Sequence, residues 1–132
     1  MVCLDTAFLA DLFRKNPAAE MKLKEFVDAR EEISITVMTV AELYYGAYKS
    51  NRLEEEKAKV EQIKRKFLIL EMNESGAQKF GELLSRLEKS GKTISDRDVL
   101  IAAIAISKGE NTIVTRNEKD FSRISELSAI TY

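Results

Sequence analysis

Five short apolar runs punctuate this chain, and the stretches between them carry apolar residues at helical spacing. The runs are "VCLD" (2–5), "ISIT" (33–36), "FLILEM" (67–72), "NTIVT" (111–115) and "SAITY" (128–132). Short buried strands that alternate with helices predict an α/β domain with a mainly parallel sheet of about five strands, covered by helices on both faces. In such a sheet, right-handed crossovers bring helix N-termini to the edge where the strands end, and ligand sites form there.

The helices are marked in turn by their apolar stripes. Phe8, Leu9, Leu12 and Phe13 mark the first, and Asn16 followed by Pro17 reads as an N-cap and first helical position of a second that runs to about Ala29. "TVAELYYGAYKS" (39–50) is a third. Leu53, Val60, Ile63 and Phe67 form a narrow stripe on a charged helix from Arg52 to Lys66. Ala77, Phe80, Leu84 and Leu87 mark a long helix that Gly91 ends, and Ser95 opens a last one that Gly109 closes, apolar without a break from Val99 to Ile106. No repeat, linker or low-complexity segment interrupts the 132 residues, so residues 1–132 are expected to form one domain.

Several function classes drop out on composition. No apolar stretch approaches the roughly 20 residues that span a bilayer, and "MVCLD" opens without a basic leader or cleavage site, so a cytoplasmic protein with no membrane partner is expected. The lone Cys3 sits in an apolar run and reads as a small core residue. The chain has no histidine, which removes the commonest general base, the commonest nitrogen ligand and every Ser-His or Cys-His nucleophile system. A net charge of −1 supplies no bulk attraction to a polyanion.

Carboxylates are left to do any chemistry, and their placement is uneven. Asp5 ends the first strand, Glu42 follows the second, Asp98 lies in the first turn of the helix before the fourth, and Asp120 follows the fourth. All four fall at one edge of the predicted sheet. A structural account exists for some of them: "TVAE" (39–42) and "SDRD" (95–98) match capping boxes, and acids suit a helix N-terminus. Asp120 in "NEKDF" reads equally well as a solvated turn residue. Asp5 is harder to dismiss, because a carboxylate that closes a buried strand needs a partner. Several carboxylates at one cleft repel, and a cation offsets them; an all-oxygen set favours Mg²⁺ or Mn²⁺ over Zn²⁺. Such a cation activates water and neutralises phosphate, which points to phosphodiester hydrolysis.

Asp96 and Asp98 do not share that role equally. Residues two apart on a helix point about 200° apart, and Asp98 lines up with Ile101, Ala102 and Ala105 on the side expected to face the core. Asp96 is expected to face solvent or support the cap.

"LDT" (4–6), "TVAELYYGA" (39–47), "GKTISDRDVLIAAIA" (91–105) and "IVTRNEKDF" (113–121) together resemble a PIN-domain ribonuclease of the VapC toxin type, in order and along the whole chain. The resemblance implies a three-layer α/β/α sandwich and Mg²⁺- or Mn²⁺-dependent endoribonuclease activity. It matches Asp5, Glu42 and Asp98 to the three main acids, with Asp120 as the fourth and Asn117 beside it. It also matches Thr6 and Thr115 to hydroxyl positions that hold the acids or a water. A homodimer, an RNA substrate and inhibition by a cognate VapB-like antitoxin are implied as well. Alternatives are a PIN-like binding domain with a vestigial metal site, and a PIN nuclease of RNA processing.

Other readings of the same residues fit less well. An aspartyl-nucleophile phosphatase wants a second aspartate two residues after the first, where this chain has Ala7. A receiver domain wants an aspartate that ends the third strand, where Glu71 stands. Tyr44, Tyr45 and Tyr48 are expected mainly to pack or half-pack, and "KRK" (64–66) to sit at a solvated helix end near the negative dipole terminus.

Overall fold

The computed structural model describes residues 1–132. The elements in chain order are β1 (Val2–Leu4), α1 (Thr6–Phe13), α2 (Pro17–Asp28), β2 (Ile33–Thr36), α3 (Val37–Lys49) and α4 (Leu53–Lys66). They continue with β3 (Leu68–Leu70), α5 (Glu74–Ser90), α6 (Asp96–Ser107), β4 (Thr112–Val114), α7 (Glu118–Phe121) and β5 (Ser128–Ile130). The five strands form one sheet in the order β3-β2-β1-β4-β5, and every neighbouring pair is parallel. The expected α/β/α sandwich is therefore the architecture found.

Side-chain alternation along the strands divides the interior into two cores. Val2 and Leu4 of β1, Ile35 of β2 and Val114 of β4 face one side, where they pack with Phe8, Leu9, Ala19, Phe26, Leu43, Val60 and Ile63 from α1 to α4. Cys3 and Ile113 face the other side, against Leu83 and Leu87 of α5 and the apolar residues of α6. Cys3 is fully buried, and desolvation pushes its thiol up to about 12, so it serves as a core residue. Val99 and Ile101 to Ala105 are all buried, which explains why α6 is apolar around most of its circumference.

Caps and stops follow the sequence with three corrections. Asn16 caps α2 through its Oδ1, Ser95 caps α6, and Gly91 ends α5 at φ 70°, where a residue without Cβ is favoured. The cap of α3, however, is Thr36, whose Oγ1 accepts from the Thr39 N–H at 3.2 Å; Thr39 is inside the helix and "TVAE" is not a capping box. The strand passes into the helix with no loop between, so the cap comes three residues earlier than expected. On α5 the buried face is Gly76, Leu83 and Leu87, flanked by Phe80 and Leu84, while Ala77 is exposed. The four-residue α7 was not foreseen, being too short to show a period.

No helix is long and apolar enough to cross a membrane. Tyr44 is tied to α4, where its hydroxyl donates to Glu61 and accepts from the Lys64 ammonium, whereas Tyr45 and Tyr48 are exposed beneath Lys49 and Lys57. Lys64, Arg65 and Lys66 occupy the last turn of α4, the helix-end position expected of them.

Candidate active site

β1 and β2 each run straight into a helix, so α1 and α3 begin at the strand C-terminal edge. Asp5 is the N-cap of α1: its Oδ1 accepts from the Phe8 N–H at 2.9 Å, and its own N–H donates to Val114 of β4. The backbone is thus tied to β4 and the side chain to the start of α1, at the end of the central strand. It is 1% exposed, and desolvation pushes its carboxyl up to about 6. The Thr115 hydroxyl and the Phe8 N–H pull the other way, while Asp98 adds repulsion and Arg116 a smaller attraction.

Glu42 stands one turn into α3 and is held by hydroxyls. Thr6 Oγ1 lies 2.8 Å from Glu42 Oε1 and 3.1 Å from Thr39 Oγ1. An ionised carboxylate only accepts, so the Thr6 proton goes to Glu42 and Thr39 donates to Thr6. Arg97 of α6 approaches Glu42 Oε2 at 3.7 Å, which brings the first turns of α3 and α6 together.

Asp98 and Asp96 part as helical geometry requires, with Asp98 half-buried and Asp96 exposed. The Ser95 hydroxyl accepts from the Asp98 N–H at 3.2 Å, so Ser95 starts the helix and places Asp98 at the edge. Burial raises the Asp98 carboxyl above the usual aspartate range; Ser95 opposes this, and Glu42 and Asp120 raise it further by repulsion. Asp120 is half-buried in α7, which follows β4, and Asn117 is the exposed N-cap position of that helix. Thr115 is fully buried at the end of β4, and its hydroxyl accepts from the Asn117 N–H at 2.8 Å, which shapes the turn toward Asp120.

Four acids from four segments therefore act on one another: Asp5 on Asp98, and Asp98 with Glu42 and Asp120. No three Asp, Glu or Cys side chains stand close enough to form a finished metal cage. A hard divalent cation does not require one, since Mg²⁺ keeps several waters and takes one or two carboxylates. An all-oxygen donor set of mutually repelling carboxyls, two of them raised toward neutrality, fits such an ion.

Sequence reasoning passed over Asp11, Arg116 and Tyr132. Asp11 is 6% exposed; Arg116 donates to its Oδ1 at 2.6 Å and the Tyr132 hydroxyl to its Oδ2 at 2.5 Å. These partners lie 105 and 121 positions away, and no local pattern announces contacts of that range.

Comparison with known proteins agrees with this geometry. The family model for the PIN domain matches residues 2–127. Ribonuclease VapC2 of Haemophilus influenzae is 34% identical over 124 residues, covering 94% of this chain and 92% of the relative. Ribonuclease VapC2 of Rickettsia felis is 32% identical over the same shares. Among solved structures, VapBC2 from Rickettsia felis bound to a DNA fragment from its promoter superimposes with a TM-score of 0.89 at 30% identity, covering 100% of this chain and 99% of that one. A parallel sheet with acids at one edge is compatible with several families, but a match from end to end at these identities is not, and the chain belongs to the PIN-domain family, in its VapC branch.

Proposed function

We propose that this chain is an endoribonuclease of the VapC toxin type, a single PIN unit over residues 1–132 that hydrolyses RNA phosphodiester bonds with Mg²⁺ or Mn²⁺ at its acidic edge. The observation that carries this is that Asp5, Glu42, Asp98 and Asp120 come from four separate segments, with Asp5 the cap of α1, Glu42 one turn into α3 and Asp98 in the first turn of α6, and stand at the strand C-terminal edge of one parallel sheet. Gathering carboxylates at one edge costs stability, and a bound cation would offset part of that cost. The naming of the similar proteins as ribonucleases supplies the reaction class.

Asp5 and Asp98 would be the principal ligands, with Glu42 and Asp120 completing the site or orienting a water. When bound, the cation lowers the pKa of water and neutralises the scissile phosphate. The chain's own contribution is rigidity. Thr6 fixes one Glu42 oxygen, the Phe8 N–H fixes one Asp5 oxygen, and the buried α6 keeps Asp98 from retreating. Hydrolysis is expected to leave 5′-phosphate and 3′-hydroxyl ends.

A homodimer and a VapB-like antitoxin are the proposed partners, the latter because the similar Rickettsia felis structure is a VapBC complex. A groove between α1, α2 and α4, with Leu12, Phe13, Leu23 and Ile63 among its apolar lining and Lys15, Lys24, Lys59 and Lys66 among its cations, suits an antitoxin segment of apolar and acidic residues.

The test is RNA cleavage with and without Mn²⁺, in wild type, Asp5→Asn and Asp98→Asn. Cleavage by wild type alone, and only with the metal, is expected. Full activity in Asp98→Asn sinks the assignment of Asp98. No cleavage and no Mn²⁺-dependent thermal shift in wild type supports a binding domain with a vestigial site instead.

A further inference from the structure

We propose that Arg116 holds an RNA phosphate beside the acidic edge, and that Asp11 and Tyr132 are positioning residues that aim its guanidinium. The inference rests on the ribonuclease reading above.

An acidic cleft on a chain of net charge −1 repels a polyanion, so the substrate needs a fixed cation near the carboxylates. Arg14 lines the same pocket as Glu42 but is 68% exposed, and two further arginines stand by the acids. Arg97 pairs with Glu42 at 3.7 Å, lies 5.4 Å from the Tyr45 ring centre and is 56% exposed, so no hydrogen bond fixes its direction. Arg116 is different. Its Nη1 donates to Asp11 Oδ1 at 2.6 Å, a short charge-assisted bond to a carboxylate buried inside the helical layer. The other Asp11 oxygen is taken by Tyr132, whose ring meets Phe8 of α1 edge to face at 4.8 Å.

One end of the guanidinium is therefore anchored. Its remaining nitrogens make no hydrogen bond within the protein, and the side chain is 48% exposed. An arginine held by one nitrogen, with its other donors unpaired and its side chain half exposed, suits the two-oxygen face of a phosphate, and the anchor leaves less rotamer freedom to lose on binding. Its place in the chain fits as well: it lies between buried Thr115, which neighbours Asp5, and Asn117, which opens the helix that carries Asp120. Asp5 caps α1 through the Phe8 N–H, Arg116 bonds Asp11 on the same helix, and Tyr132, which shares Asp11, packs on Phe8, so the anchored group and Asp5 share one locale. Burying Asp11 does not itself demand Arg116, because Arg14 already lies 3.5 Å from the same oxygen.

The experiment measures binding of a short, fluorescein-labelled single-stranded RNA of mixed sequence by anisotropy, without divalent metal, over a range of NaCl concentrations. Steady-state cleavage with Mn²⁺ is measured alongside. The variants are Arg116→Lys, Tyr132→Phe and the neutral double substitution Asp11→Asn with Arg116→Gln, which leaves no buried charge unpaired. Lys89→Ala, a cation removed from the last turn of α5, controls for net charge. The double variant is expected to bind about tenfold more weakly, to lose about 0.7 from the slope of log affinity against log salt, and to raise KM more than it lowers kcat. Tyr132→Phe keeps the charge, so it should keep the slope while KM rises. If the double variant fails to fold, Arg116→Lys and Tyr132→Phe carry the test, with KM raised in both. Affinity, slope and KM equal to the Lys89→Ala control in an active protein overturn the proposal alone. A wild type that neither binds nor cleaves RNA overturns the ribonuclease reading and this proposal with it.

Discussion

The Oδ1 of Asp5 accepts the Phe8 N–H at 2.9 Å, so the acid at the centre of the candidate site is also the cap that starts α1. Cap and candidate metal ligand are one side chain. Asparagine caps as well as aspartate, whereas alanine does not. Asp5→Asn is expected to abolish cleavage yet unfold at higher urea than metal-free wild type at pH 7. Asp5→Ala should lose activity too and fall about 1 kcal/mol below the asparagine variant in the same titration.

The same residue sets a pH dependence. Its folded pKa of about 6 lies above the value near 4 of an unfolded aspartate, so the folded state binds the proton more tightly. The stability this contributes is complete below about pH 4 and lost as pH rises through 6, roughly 3 kcal/mol in all. Asp98, also raised, adds with the same sign. Metal-free wild type should therefore become less stable from pH 4 to 6.5 in urea titrations, and Asp5→Asn should flatten the curve.

Divalent metal should reverse that loss. Because a cation binds the carboxylates only when ionised, Mn²⁺ is expected to raise the melting temperature of wild type at pH 7 and to have little effect near pH 4. Differential scanning fluorimetry at the two pH values checks this, with EDTA restoring the lower value.

Much of this arrangement is legible in the sequence, and the parts that are not share a cause. The parallel sheet follows from short apolar runs between helical stripes, and the separation of Asp98 from Asp96 follows from the helical turn alone. Thr36 was missed as the cap of α3 because strand and helix abut, leaving two threonines with equal claim. Asp5 hid its cap role in the same way. Gly76 rather than Ala77 faces the core, since the phase of α5 is fixed by contact with α6, where a Cβ on Gly76 would lie 3.3 Å from Ser107 Oγ. The Asp11 contacts are set by tertiary folding and have no sequence period.

Thr6 tests the support of Glu42. Thr6→Val keeps the shape but removes the proton that goes to Glu42 Oε1, 2.8 Å away, and leaves Thr39 Oγ1 only the more distant Thr36 Oγ1 at 3.5 Å. Cleavage should fall about tenfold with a stability loss of about 1 kcal/mol, read by initial rates and urea titration.

The two acids of α6 differ in consequence. Asp98→Asn should remove Mn²⁺-dependent cleavage, whereas Asp96→Asn, on the exposed side, should keep most of it. Equal loss in both, measured by gel-resolved RNA cleavage, reverses the choice between them.

The strand order also sets when the candidate site is completed during synthesis of the chain. β1 lies between β2 and β4, so the groove beside Asp5 has only one wall until residues 112–114 have left the ribosome and slotted in. Glu42 is in place early, but Asp98 and Asp120 arrive from the other helical layer late in translation. The four acids thus come together only after most of the chain has been made. On the proposed ribonuclease reading, that order of assembly holds back cleavage until late in translation.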